Sequence, residues 1–227
     1  MTALIDIQRL VECESPTEDL AACNQVVDLA VEIANTLLKI PATKLDESGR
    51  PVFWWGTKNP KILLLCHLDT VWPKGSFQPT WKIEADTATG PGVFDMKAGF
   101  VQAVYALQGI TGSVAMLCTT DEEIGSKASR ALIEKSAQNA RAVLVLEASV
   151  NGAVKTGRKG TADFIIDVHG RAAHAGLEPE KGINATTEIA HIVLGLASLE
   201  DSKYGTTVVP TLMNSGNSAN TVPDLAV

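Results

Sequence analysis

Three short apolar runs in this chain each end abruptly in a histidine or an acid, and that repeated ending constrains the fold more than any other feature. Ile62-Leu63-Leu64-Leu65-Cys66 closes in His67-Leu68-Asp69. Val114-Ala115-Met116-Leu117-Cys118 runs into Thr119-Thr120-Asp121-Glu122-Glu123, and Ala142-Val143-Leu144-Val145-Leu146 stops at Glu147. Runs this short and this apolar, bounded by polar residues, read as buried strands. Helical patterns alternate with them, which predicts an α/β sheet. In open α/β sheets the functional crevice lies beyond the carboxyl ends of the strands. One histidine and several carboxylates would therefore converge there, joined by Asp95 from the tight loop Gly90-Pro91-Gly92-Val93-Phe94-Asp95.

The chemistry of that convergence starts at His67 and Asp69. Two residues apart in extended chain, they point to the same side. A neutral imidazole binds zinc through one nitrogen and carries a proton on the other. A carboxylate that accepts this proton fixes the tautomer and makes the ligand more basic. Read alone, the pair is equally a strand end with two polar residues. Taken with Asp95, the Glu122-Glu123 pair and Glu147, the balance changes. Packed carboxylates repel, no lysine or arginine stands at the equivalent strand ends, and a divalent metal pair is the economical counter-charge. A solvated acidic edge is the bland alternative. A dinucleotide loop at Gly90–Asp95 is discounted, because an acid stands where that fingerprint needs a third glycine.

Other elements follow from local signals. Ser15-Pro16-Thr17-Glu18 has the form of a capping box for a helix through Leu37. Val52–Trp55 reads as a strand, and its short connection through Gly56–Pro60 predicts an antiparallel neighbour in the strand ending at His67. Met96–Leu107 reads as a helix despite Gly99, with Asp95 at or just before its start, where an N-cap is the structural reading. Ser126 is placed to cap a helix to about Ala137. Thr161–His169 alternates as a half-buried strand does, Gly182–Ala197 has helical spacing, and Thr206–Met213 reads as a strand.

Composition bounds the function. The 227 residues are 45% apolar and 20% charged, with a net charge of −7, which argues against nucleic-acid and anionic-membrane partners. The first residues lack the pattern of a signal peptide, and no apolar stretch reaches spanning length. Cys13, Cys23, Cys66 and Cys118 show no paired spacing, so a reducing, cytoplasmic setting is expected.

With these residues in place, the chain resembles the co-catalytic zinc peptidases and amidohydrolases that include glutamate carboxypeptidase, aminoacylase, acetylornithine deacetylase and succinyl-diaminopimelate desuccinylase. The stretches that carry the resemblance are His67–Gly75, Gly90–Gly99, Thr119–Ser126 and His174-Ala175-Gly176. Trp72-Pro73, Pro179-Glu180, Gly182 and Asn184-Ala185 look most like the glutamate carboxypeptidase branch. The resemblance implies a mixed-sheet catalytic domain over 1–156 and an inserted α+β, ferredoxin-like lid and dimerisation domain over 157–227, the latter incomplete. It implies two zinc ions, with cobalt or manganese as possible substitutes. His67, Asp95 and Glu147 would hold the first ion, and Asp95 and Glu123 the second. Asp69 would orient His67, and Glu122 would be the general base toward a metal-bound hydroxide. His174, by itself a loop histidine, would contact substrate, as would Asn220. His169 and His191 read as surface or packing residues.

The implied substrate is a small peptide or N-acyl amino acid, cleaved at an amide next to a free carboxylate, in a homodimer formed through the lid. The family's pattern continues beyond Val227 and includes the second metal's histidine. The expectation is thus a truncated chain of weak or no activity. A one-metal amidohydrolase is a second enzymatic reading. A non-catalytic relative that binds a peptide or partner is the alternative from another class, and Glu122 argues against it.

Overall fold

The computed structural model describes residues 2–227 and divides between Val154 and Lys155 into two compact units. The first unit opens with helices α1 (Ala3–Glu12) and α2 (Leu20–Leu37), then strands β1 (Thr43–Glu47), β2 (Arg50–Gly56) and β3 (Ile62–His67). A small hairpin of β4 (Lys82–Glu84) and β5 (Thr87–Thr89) follows, then α3 (Ala98–Ala106), β6 (Val114–Thr119), α4 (Arg130–Ala137) and β7 (Ala142–Val145). The mixed sheet has the order β1-β2-β6-β3-β7. Strand β3 runs parallel to both β6 and β7, so the three runs that end in His67, the Glu122-Glu123 turn and Glu147 finish on one edge.

The expected pairing of β2 with β3 is corrected here, because β6 lies between them. The connection 57–61 steps across the start of β6 instead of turning back. Thr57 N–H donates to Val114 O at 3.0 Å, and Lys61 N–H to Ser113 O at 2.8 Å. Gly56, with φ +95°, leaves no side chain to collide with the Val114 carbonyl.

Two caps also differ from expectation. Helix α2 starts at Leu20, and Asp19, not Ser15, caps it by accepting from Ala22 N–H at 2.9 Å. The hydroxyls of Ser15 and Thr17 are drawn to the end of β3, donating to Leu68 O (2.6 Å) and Asp69 Oδ2 (2.8 Å). Helix α4 starts at Arg130. Just before it, the N–H groups of Ala128 and Ser129 donate to Asp121 Oδ2, and Ser126 is not the cap. Helix α1 is absent from the elements expected above. It buries Leu10 and Val11.

The core lies between the sheet and helices α1–α3, where Phe53 and Phe100 meet edge to face with ring centroids 5.2 Å apart. Lys97 is fully buried among them, and its ammonium donates to Leu10 O and Cys13 O, both at 3.0 Å, at the end of α1. It thereby ties that helix to the turn that carries Asp95.

The second unit contains β8 (Val168–His169), α5 (Ala185–Leu196) and β9 (Leu225–Ala226). Strands β8 and β9 pair antiparallel over a small core of Ala185, Ile189 and Ala226. Asn184 caps α5 by accepting from Thr187 N–H at 3.1 Å. The strand expected over 161–169 is confined to its last two residues, since 161–165 are exposed and bury no face. The strand expected over 206–213 does not form. Pro210 has no N–H to give a ladder, and Thr206 pairs locally with Asp201.

Burial pushes the Lys97 ammonium down to about 8 from 10.5. Between those values the unfolded chain binds a proton that the folded chain does not, so stability rises with pH there. Relative to Lys97→Met, the free energy of unfolding should increase by on the order of 2 kcal/mol from pH 8 to 10.5, measured by urea denaturation.

Candidate metal centre

The centre is built outward from a buried carboxylate. Asp69 is inaccessible to solvent, yet both its oxygens are engaged. Oδ2 accepts from the Thr17 hydroxyl at 2.8 Å and from Glu123 N–H at 3.3 Å. Oδ1 lies 3.4 Å from Glu122 N and 3.4 Å from His67 Nδ1, and Nδ1 also stands 3.0 Å from Asp69 O. One side chain thus fixes the imidazole and the backbone of the Glu122-Glu123 turn together. With two acceptors around Nδ1, the ring proton resides there and Nε2 is left facing the carboxylates.

Around Nε2 stand Asp95 Oδ1 at 3.0 Å, Glu147 Oε1 at 3.5 Å and Glu122 Oε2 at 4.0 Å. The ligand atoms of His67, Asp95 and Glu147 all lie within 4.8 Å of one another. At that separation two carboxylates repel by about 3 kcal/mol at an effective dielectric near 20, before solvent screening. The conflict shows in the titration of the groups. Burial lowers the His67 pKa, but its bonds to Asp69 and Glu147 and the field of Glu122 outweigh this and raise it to about 11. Burial and the neighbouring carboxylates raise Glu122 and Glu123, against the pull of His67. The cluster calls for positive charge at Nε2. A proton on the ring offsets one carboxylate, whereas a divalent ion offsets two and takes nitrogen and oxygen donors of this kind. The donor set therefore fits zinc.

Local backbone explains how Asp95 and Glu147 reach each other. Asp95 sits in a tight turn over Val93–Lys97 with extended φ −123° and ψ 93°, and not as an N-cap. Gly99, in the first turn of α3, lies directly against Leu146. A Cβ there would run into the Leu146 carbonyl oxygen, one residue before Glu147. Sequence reasoning treated Gly99 as a blemish in a helix, although a glycine inside an apolar helix is itself a signal of close approach. Thr17 was likewise missed as the hydroxyl that supports Asp69, hidden within an apparent capping box.

Glu123 is half-buried beside the centre, but its carboxylate is not part of the three-ligand cluster among the described residues. His174 and Asn220 belong to the second unit, where both are exposed. His174 Nδ1 accepts from Gly176 and Leu177 N–H, each at 3.1 Å, which puts the ring proton on Nε2. Asn220 lies beside it, its carbonyl accepting from Ala175 N–H at 2.9 Å.

Residues 156–227 match the peptidase dimerisation domain of the M20 family. Carboxypeptidase G2 of Pseudomonas sp. (strain RS-16) is 35% identical over 178 residues, covering 74% of this chain and 42% of that protein. The chain belongs to the M20 metallopeptidase family. A succinyl-diaminopimelate desuccinylase of Nitratiruptor sp. is 29% identical over 210 residues, 75% of this chain and 57% of its own length. The chain spans about half the length of such M20 relatives. Solved M20 structures share the fold. A metallo-carboxypeptidase from Sulfolobus solfataricus superposes with a TM-score of 0.64 at 15% identity, covering 100% of this chain and 69% of that one. An aminopeptidase from Bacillus cereus gives 0.63 at 21% identity, covering 99% and 64%.

Replacing Gly99 by Ala should displace Leu146 and move Glu147 from the cluster. Zinc affinity, measured by chelator competition, should fall about 10- to 100-fold, the usual loss when a ligand's support is removed. The circular dichroism of the folded chain should stay unchanged.

Proposed function

We propose that the protein is a metal-dependent hydrolase that cleaves an amide next to a free carboxylate, in a peptide or an N-acyl amino acid. The observation that carries this reading is the convergence of His67 Nε2 with Asp95 and Glu147 while Asp69 holds Nδ1. The activity is proposed for the protein as a whole, since the chain spans about half the length of the relatives it matches.

In this reading His67, Asp95 and Glu147 hold one zinc ion, and Asp95 and Glu123 contribute to a second. Bound zinc supplies a Lewis acid for the amide carbonyl and lowers the pKa of water. The residues of the chain do the rest. Asp69 holds the imidazole in register and, through the N–H groups of Glu122 and Glu123, fixes the turn from which both side chains project. Glu122 stands at the edge of the cluster with its carboxyl raised by burial, as suits a group that takes a proton from attacking water and returns it to the leaving amine. In a homodimer His174 would reach into the site of the partner subunit, where its Nε2 proton is a donor for the carbonyl oxygen as negative charge develops there, and Asn220 is a further polar contact for substrate. The dimerisation-domain match of residues 156–227 supports a homodimer. Thiols at Cys13, Cys23, Cys66 and Cys118 are compatible with a cytoplasmic setting.

The test is zinc per chain after dialysis against metal-free buffer, followed by hydrolysis of a panel of dipeptides and N-acyl amino acids. At least one retained zinc is expected, and Glu122→Gln should keep it while lowering turnover by about 100-fold or more. Folded chain that binds no zinc, or turnover unaffected by Glu122→Gln, would contradict the reading.

A further inference from the structure

The edge at which β3, β6 and β7 end is also the edge at which β2 begins. Strand β2 runs antiparallel to β6, with Phe53 opposite Cys118, so its first residue, Arg50, stands where β6 ends. The hairpin before it fixes that placement. Ser48 and Gly49 have positive φ, 53° and 83°, as a two-residue turn between antiparallel strands requires, and Arg50 faces Glu47 across it. Asp46 Oδ1 tightens the turn by accepting from Gly49 N–H at 3.1 Å. An arginine at the start of a strand escapes a reading of strand ends, although it lies on the same edge as His67 and the Glu122-Glu123 turn.

Arg50 is half-buried, and its guanidinium bonds to backbone. Nη1 donates to Thr17 O and to Thr120 O, the second at 3.0 Å. Both acceptor residues are buried, Thr17 at 4% exposure and Thr120 at 0%. Thr17 carries the hydroxyl that donates to Asp69 Oδ2, and Thr120 stands two residues before Glu122, whose N–H faces Asp69 Oδ1. The Thr120 hydroxyl donates to Pro51 O at 2.8 Å, so the start of β2 holds that residue at two points. A charged donor makes a hydrogen bond roughly twice as strong as a neutral one. Arg50 thus ties the segment before α2 to the segment after β6. Those two segments supply the Thr17 hydroxyl and the N–H groups of Glu122 and Glu123 to Asp69.

We propose that Arg50 is a positioning residue for the metal centre, clamping Thr17 and Thr120 so that the Thr17 hydroxyl and the Glu122-Glu123 turn meet Asp69 together. It acts through Asp69 and not on the substrate. Removing the clamp leaves two buried carbonyls without this donor and lets the segments part. Asp69 then loses support from both sides, and with it the hold on His67 Nδ1 that orients the ligand. The inference rests on the hydrolase reading for its consequence, zinc binding, whereas the clamp itself belongs to the metal-free chain.

The experiment compares the full chain with two variants. Arg50→Met keeps an apolar stem and removes the donors. Arg50→Lys has an ammonium that can donate to both carbonyls from one nitrogen, as Nη1 does. Amide hydrogen exchange is read residue by residue in the metal-free proteins, and the zinc Kd is read by chelator competition. In Arg50→Met the amides of Glu122 and Glu123 should exchange about tenfold faster, the weight of roughly one hydrogen bond. Leu64 and Met116, paired within the sheet, should exchange as in the native chain. Zinc should bind about 10- to 100-fold more weakly, the loss typical when a ligand's support is removed. Arg50→Lys should recover part of both effects. Native exchange at Glu122 and Glu123 in Arg50→Met, faster exchange spread equally over Leu64 and Met116, an unchanged zinc Kd, or Arg50→Lys no better than Arg50→Met would overturn the assignment. Exchange is read without metal, so the two claims separate. A native chain that binds no zinc overturns the hydrolase reading, and the exchange pattern still decides on the clamp.

Discussion

The buried carboxylate of Asp69 is the interaction on which the rest of the site depends. A charge without solvent access is costly unless every lone pair finds a donor. Here the donors are His67 Nδ1, the Thr17 hydroxyl and the N–H groups of Glu122 and Glu123. Each donor comes from a different part of the first unit: the end of β3, the segment before α2 and the turn after β6. Satisfying one carboxylate therefore fixes three segments relative to each other. The imidazole and the acidic turn gain their positions from the same bond set.

The sheet supplies the remaining order. Because β3 runs parallel to β6 and β7, their polar endings share an edge without any sequence proximity. Gly99 lets α3 press against the end of β7, and Lys97 anchors the preceding turn to the end of α1. Together these contacts hold Asp95 and Glu147 close enough to repel, a repulsion that a bound cation would relieve.

Much of this is legible in the sequence, for a physical reason. Apolar runs that stop at charged residues mark both strand and edge, so His67, Asp95, Glu122, Glu123 and Glu147 could be gathered before any fold was known. The parts that were misread are those where a non-local partner outbids a local one. Ser15 and Thr17 have the spacing of a helix cap, but Leu68 O and Asp69 claim their hydroxyls, and Asp19 caps instead. The connection after β2 is short enough for a hairpin, yet β6 enters between the strands, and nothing in residues 57–61 announces it. Thr206–Met213 has strand composition, but Pro210 interrupts the donors a ladder needs.

Zinc K-edge X-ray absorption on the zinc-loaded chain tests the central account most directly. The account predicts a shell of nitrogen and oxygen at about 2.0–2.1 Å with imidazole scattering from a single histidine, and no sulfur. A zinc–sulfur distance near 2.3 Å would contradict it, because the ion would then be held by cysteine and not by the cluster that Asp69 organises.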